Sequence, residues 1–154
     1  LSTVFSLLLK GIEVIHAHQL VHLDIKPANI LIRADNDPLL LDFGAIRRFP
    51  SHPSNHRAKV LTNGFSPIEQ YDNHGKLGPW TDIYAVGASM RACLDLKIPP
   101  ASTERVKQDT LPLTVKAYKR KYPEYLLHAI DWAMAIYPEQ RPQNVTELAQ
   151  ALNP

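Results

Sequence analysis

Two clusters of polar residues, separated by two short apolar runs, constrain this chain most. The first cluster is at residues 22–29 and the second begins at Asp42. Between them, the apolar residues 30–32 and 39–41 flank Asp35-Asn36-Asp37-Pro38, which is a turn signal. Two short strands paired across this turn would bring the end of the first cluster next to Asp42. The sequence therefore predicts a compact polar site built on a small hairpin.

The side chains of these clusters suit phosphoryl transfer from a metal-bound nucleotide. Asp24 can accept a proton or a hydrogen bond from an attacking hydroxyl, and Lys26 can reach the transferring phosphate. Asn29 and Asp42 offer oxygen ligands to Mg²⁺, a hard cation. This reaction needs little covalent chemistry from the protein, because orientation and charge stabilisation supply most of the catalysis.

The order of several motifs identifies a family. Five segments resemble, in order, the catalytic loop, the metal-binding motif, the end of the activation segment, the start of the central helix and the late arginine of eukaryotic-type protein kinases: residues 22–30, 42–44, 62–71, 82–87 and Arg141-Pro142. Pro67-Ile68-Glu69 stands where this family commonly has Ala-Pro-Glu. The amino-acid sequences of the later segments are most similar to those of bacterial Ser/Thr kinases.

The resemblance implies a role for each residue of the proposed site. Asp24 and Lys26 are implied to be catalytic, and Asn29 and Asp42 to hold ATP and Mg²⁺. Thr62 is implied to lie near the substrate site and to hydrogen-bond Asp24 and Lys26. Lysine two residues after the catalytic aspartate is typical of Ser/Thr-directed kinases.

Other matching residues are implied to be structural. His22 would pack under Phe43, and Gly44 would give the backbone freedom that a turn or a moving switch needs. Asp82 would accept backbone hydrogen bonds from the catalytic loop; alternatively, it simply favours the start of its helix.

Glu69 and Arg141 are implied to form a partly buried bidentate ion pair. This pair would join the activation segment to a late helix and would be structural, not catalytic.

Leu23 replaces the arginine that commonly precedes the catalytic aspartate. That arginine would hold a phosphorylated activation loop. We therefore expect that Ser51, Ser54 and Thr62 are not an essential phosphorylation switch.

The resemblance implies a mainly α fold, namely a kinase C-terminal lobe over residues 1–154 with a short pair of β-hairpins around the catalytic loop. Apolar spacing predicts helices over about residues 2–18, 82–94 and 125–136. Asn144 with Glu147 resembles a capping box that starts another helix. Residues outside these helices, mainly 45–68 and 96–122, read as irregular.

The family's N-terminal lobe is expected to be absent. Only Gly11 lies in the first 43 residues, so the sequence has no Gly-x-Gly-x-x-Gly loop. The strand lysine and helix glutamate of that lobe are not found either. The chain alone is therefore expected to be inactive, with Val4, Phe5, Leu31 and Phe43 only partly covered. The segment 45–66 is expected to be mobile.

Composition limits the remaining classes. The chain has 154 residues, 45% hydrophobic and 21% charged, with a net charge of +2, which argues against a nucleic-acid or membrane partner. The basic run 116–121 reads as a solvated helix end or loop. Cys93 is the single cysteine of the sequence, so no internal disulfide can form, and its side chain is expected to be buried. Without a signal peptide or long apolar run, the expected location is the cytoplasm.

Three functions remain open. The first is the C-lobe of an ATP-dependent Ser/Thr kinase that transfers the γ-phosphate to protein substrates. The second is a non-catalytic kinase-like remnant or interaction module. The third is a small-molecule phosphotransferase of the aminoglycoside or choline kinase type, which the long segment between residues 42–44 and 67–69 disfavours.

Overall fold

A computed structural model describes residues 1–50 and 60–154. The fold is mainly helical, with two small sheets. The longer helices are α1 (Ser2–Ala17), α3 (Pro79–Asp95), α6 (Glu124–Ala133) and α7 (Val145–Leu152), and the shorter ones are α2 (Ile68–Tyr71), α4 (Ser102–Lys107) and α5 (Thr114–Ala117). The strands are β1 (Leu20–Val21), β2 (Ile30–Arg33), β3 (Asp37–Leu40) and β4 (Arg47–Arg48).

The hairpin expected around the polar clusters is present. Strands β2 and β3 pair antiparallel, from Ile30 opposite Leu40 to Arg33 opposite Asp37. A 3₁₀ turn at Ala34–Asn36 connects them. The prediction of two short paired strands between the polar clusters is confirmed.

The second sheet is not a hairpin. Strand β1 pairs antiparallel with β4, so that Leu20 lies opposite Arg48 and Val21 opposite Arg47. The expectation that residues 45–68 are irregular was therefore wrong at Arg47–Arg48. The two-residue strand has its partner far along the chain, and it carries no periodicity that a sequence could reveal.

Helix α3 forms the centre of the core. Most of its side chains are buried, and it packs against α6 at a very short distance. A Cβ atom added to Gly87 would lie 2.7 Å from Cβ of Ala133 and 3.0 Å from Cγ of Met134. Only glycine at position 87 allows this close approach of the two helices.

Helix α1 buries one stripe of side chains against the core and packs on α7. The stripe follows helical spacing and consists of Phe5, Leu8, Leu9, Ile12 and His16. Phe5 is only 4% exposed, so the expectation that it is partly uncovered was wrong. It belongs to the main hydrophobic core cluster, which covers it.

Helix α7 begins as its capping signal predicts. The Asn144 side chain accepts a hydrogen bond from the Glu147 backbone N–H at 2.9 Å. By contrast, α4 and α5 lie within residues 96–122, where loops and short turns were expected.

The Cys93 thiol corrects another expectation. It was expected to be buried but is exposed on α3. Partial burial still raises the pKa of the Cys93 thiol, which disfavours the reactive thiolate. In the described part of the chain, no helix is both long and apolar enough to cross a membrane.

Candidate functional site

Asp24, Lys26 and Thr62 converge in the structure. The Thr62 hydroxyl donates to Oδ1 of Asp24 at 3.1 Å, and Nζ of Lys26 donates to the same hydroxyl oxygen at 3.3 Å. Nζ of Lys26 also lies 3.4 Å from Oδ1 of Asp24. A carboxylate and an ammonium thus hold one aliphatic hydroxyl between them.

Asn29 fixes the other side of the Asp24 carboxylate. Its amide nitrogen donates to the Asp24 backbone carbonyl at 2.8 Å and to Oδ2 of Asp24 at 3.1 Å. Asn29 ends the 3₁₀ turn Pro27–Asn29 and is buried. Since both recorded bonds use its nitrogen, its side-chain oxygen remains available as a ligand.

Asp42 follows the hairpin and lies beside the catalytic-loop end. The Leu41 backbone N–H donates to the Asn29 carbonyl at 2.8 Å, which joins the two polar clusters. Asp42 is exposed and left-handed at φ 55°, and its Oδ1 accepts from the Gly44 N–H at 3.1 Å. Its second carboxylate oxygen is left for a ligand.

His22 connects the loop to the segment around Asp42. Nδ1 of His22 accepts from the Asp24 backbone N–H at 3.1 Å, so its ring proton lies on Nε2 and points to the Leu41 carbonyl at 3.1 Å. The His22 ring meets Phe43 edge to face, with centroids 5.1 Å apart. The imidazole is fully buried, and its contacts hold the backbone around Asp24 and the segment around Asp42 in fixed positions.

Asp82 anchors the backbone of the loop to α3. Its carboxylate accepts from the backbone N–H groups of His22 and Leu23, each at 2.9 Å. Leu23 has a φ of 68°, a left-handed conformation that costs a non-glycine residue about 1–2 kcal/mol. The Asp82 hydrogen bonds therefore hold a strained residue directly before Asp24.

The sequence reasoning missed two residues that support this loop. Nε2 of His16 lies 2.8 Å from the Asp82 carboxylate, while its Nδ1 is buried without a partner among the described residues. The Gln70 amide donates to the Leu23 carbonyl at 3.1 Å. His16 continues the buried stripe of α1, and this spacing could have indicated from the sequence that it is buried. Nothing in the sequence around Gln70, apart from its place after Glu69, indicated its role.

Glu69 and Arg141 form the ion pair that the resemblance implied. The guanidinium donates to Oε2 of Glu69 at 2.7 Å and to Oε1 at 3.1 Å. The two side chains are 3% and 0% exposed, so the pair is fully rather than partly buried. The Thr81 hydroxyl adds a hydrogen bond to Oε2 of Glu69 at 3.1 Å. The pair fixes the segment after Thr62 to the helical core.

Part of the expected activation segment is not described. Ser51 and Ser54 lie outside the described residues, as do residues 51–59 of the expected mobile segment 45–66. Leu23 is buried in a small apolar cluster with Val21 and Leu77.

The face around the site is apolar and open. Leu31 and Phe43 are each 47% exposed, as expected.

The available ligands suit a hard cation that shares its coordination with a nucleotide. Within residues 1–50 and 60–154, no three His, Cys, Asp or Glu side chains group as a metal site. Asn29 and Asp42 supply an amide oxygen and a carboxylate. Mg²⁺ in proteins is commonly held by one or two such groups together with substrate phosphates, so this donor set fits it.

Comparisons with known proteins agree with the geometry. The family profile described as "Protein kinase domain" matches residues 1–152. Serine/threonine-protein kinase D of Synechocystis sp. is 30% identical over 98% of this chain and 30% of its own length. Serine/threonine-protein kinase PknA of Nostoc sp. is 30% identical over 94% of this chain and 26% of its own length. The chain thus spans less than a third of these curated relatives.

A solved structure is similar as well. The structure titled "PpkA-294 apo form" superposes with a TM-score of 0.81 at 36% sequence identity. The match covers 96% of this chain and 51% of that one.

Proposed function

The chain belongs to the protein kinase family, and on that premise we propose that it forms the C-terminal lobe of an ATP-dependent Ser/Thr protein kinase. The observation that carries the proposal is the Thr62 hydroxyl, held between the Asp24 carboxylate and the Lys26 ammonium. A protein Ser or Thr hydroxyl can take the same place, because it offers the same donor and acceptor.

In this proposal, Asp24 orients the substrate hydroxyl and accepts its proton as the oxygen attacks the γ-phosphorus. The new P–O bond forms while the bond from the γ-phosphorus to the bridging oxygen breaks, and that electron pair leaves with ADP. Lys26 lies beside the transferring group and offsets its negative charge. Asn29 keeps the Asp24 carboxylate aimed at the hydroxyl through its 3.1 Å hydrogen bond.

Asn29 and Asp42 would hold Mg²⁺ in this kinase. Their free oxygens lie on segments joined by the hydrogen bond from Leu41 N–H to the Asn29 carbonyl. When bound, the cation neutralises charge on the phosphates and fixes their orientation. Asp42 projects from an exposed position, where a nucleotide could reach it.

The open apolar face supports a second lobe above the site. Leu31 and Phe43 are each 47% exposed. We propose that the nucleotide and an N-terminal lobe cover them, and that residues 1–154 alone have no appreciable activity. That lobe's glycine loop and lysine would supply the other half of the nucleotide clamp. A cytoplasmic setting, where ATP is abundant, is part of the same proposal.

We do not expect phosphorylation of the activation segment to regulate this kinase. Leu23 packs in an apolar cluster and offers no cation to a phosphate. Accordingly, Ser51→Ala and Ser54→Ala in the parent kinase should leave activity within a few-fold.

Two substitutions in a kinase containing this segment separate the proposed roles. Asp24→Ala should abolish transfer and leave nucleotide binding nearly intact, whereas Asp42→Ala should abolish transfer and weaken Mg²⁺-dependent nucleotide binding. Asp37→Ala is the matched control, because Asp37 is 52% exposed and pairs only with Arg33 among the recorded ion pairs. Nucleotide titration and a phosphate-transfer assay measure the two effects.

Equal loss of nucleotide binding in both variants would overturn this division of roles. If the parent protein binds partners but transfers no phosphate, the interaction-module alternative gains instead. The complete set of Asp24, Lys26, Asn29 and Asp42 favours the enzyme, because a remnant has no need to keep all four.

A further inference from the structure

A basic cavity lies between α5 and α6, on elements that carry none of the site residues described above. Its volume is about 510 Å³. Lys116, Lys119 and Arg120 contribute three cationic groups to its lining, against the single carboxylate of Glu124.

The positive charge of this cavity is concentrated and unneutralised. Four of the chain's 17 lysine and arginine residues fall within residues 116–121. None of the recorded ion pairs among the described residues includes a cation of this run, and the Glu124 carboxylate lies 3.4 Å from His128 instead. The sequence alone suggested an ordinary solvated loop, but the structure places these cations around a concave surface.

Apolar side chains complete the cavity. Val115, Tyr122 and Leu127 line it together with the cations. Tyr122 is 39% exposed, so part of its ring is available for contact. A ligand that fits this lining carries negative charge next to at least one apolar group.

Lys116 lies on α5, whose backbone is firmly held, and Lys119 and Arg120 lie on the turn that follows it. The Asp131 carboxylate accepts from the backbone N–H groups of Thr114 at 2.7 Å and Val115 at 3.2 Å. The Thr114 hydroxyl donates to the Leu127 carbonyl at 2.7 Å, and the Tyr118 hydroxyl bonds Asp95 on α3. Because α5 is fixed to both α6 and α3, binding here would require little ordering of the backbone.

We propose that this cavity docks an acidic peptide segment of a partner protein. Carboxylates of the segment pair with Lys116, Lys119 and Arg120, and an apolar side chain between them contacts Tyr122. The concave shape favours a peptide over a bilayer surface, which is broad and flat. The proposal does not depend on phosphoryl transfer at Asp24.

Binding of a fluorescein-labelled peptide, rich in glutamate around a central leucine, tests the proposal by fluorescence anisotropy. Lys116→Glu/Lys119→Glu should weaken binding at least about tenfold, because two attractions become repulsions. The matched control is Lys10→Glu/Lys107→Glu, which makes the same charge change at exposed lysines outside the cavity. Binding to the control should change less than about twofold, because neither lysine lines the cavity and exposed charges that do not touch the ligand are screened by salt.

Two further probes make the test specific. A peptide with leucine replaced by glycine should bind more weakly to the wild type, and Tyr122→Ala should remove that difference. All four lysines are exposed, so circular dichroism should record the same folded state in every variant. Equal weakening by the cavity and control variants would overturn the proposal, as would absent peptide binding. Binding to phosphatidylserine vesicles in place of the peptide would assign the cavity to membranes and refute it.

Discussion

Replacing Arg141 by methionine should destabilise the protein by about 3–5 kcal/mol, the usual cost of breaking a buried ion pair from one side. The guanidinium donates twice to Glu69 and once each to the carbonyls of Ala135, Trp80 and Ile136, at 2.7, 3.0 and 2.8 Å respectively. Methionine fills part of the volume but satisfies none of these acceptors. The Glu69 carboxylate, 3% exposed, would then be buried without its counter-charge.

Urea unfolding followed by far-UV circular dichroism measures this loss. Arg33→Met is the matched control, because Arg33 makes an ion pair with Asp37 on the surface whose distance, 2.5 Å, is even shorter than the 2.7 Å of the Arg141–Glu69 pair. Those two side chains are 50% and 52% exposed, so the control should lose no more than about 1 kcal/mol. The substitution is identical, so the contrast reports the combined effect of burial and of the three carbonyl hydrogen bonds that Arg141 makes.

A double variant tests the electrostatic origin of the effect. Glu69→Leu/Arg141→Met removes both charges, so it should lose clearly less than the sum of the two single variants. If Arg141→Met lost less than about 1 kcal/mol, or if the losses simply added, the pair would not be the anchor that its geometry indicates.

Three other perturbations have defined outcomes in the same unfolding assay. Gly87→Ala should cost about 1–3 kcal/mol by overpacking α3 against α6. Gly11→Ala has open space around its Cβ on α1 and should stabilise by up to about 1 kcal/mol, so a loss in both would refute the packing argument. Asn144→Ala should lower the free energy of unfolding by about 1 kcal/mol by removing the α7 cap, and an unchanged stability would mean that the cap does not stabilise the helix. Burial opposes ionisation of Asp109, but hydrogen bonds and the charge of Arg105 lower its pKa overall. That contribution is complete above the ordinary aspartate pKa of about 3.9 and is lost as pH falls through the lowered pKa, so Asp109→Asn should be less stable than wild type at neutral pH and approach it in acid. A difference independent of pH would contradict this assignment.

Long helices were predictable from the sequence because their buried faces repeat. The apolar spacing located α1 within one residue of its observed end, and the cap at Asn144 located the start of α7. Helix α3 begins at Pro79, three residues before the predicted start at Asp82, because its first turn lacks the apolar repeat. Strand β4 has only two residues and a distant partner, so no local pattern could reveal it.

The site was predictable where its residues lie close along the chain. The order of the motifs predicted that Asp24, Asn29 and Asp42 lie close together, because only one short hairpin separates Asn29 from Asp42. The role of His16 was not predicted, because it depends on a contact with Asp82, 66 residues away. A buried imidazole whose second nitrogen has no recorded partner leaves no trace in sequence patterns.

The attachment of the loop to Asp82 gives the site a reference frame outside itself. The amides of His22 and Leu23 end on a carboxylate that belongs to the most deeply buried helix, not to a neighbouring loop. The backbone of the loop can therefore move only together with α3. The positive φ of Leu23 likewise persists only while that helix is intact. In hydrogen exchange, these two amides should open together with the buried helix α3, although they lie in a segment without regular secondary structure.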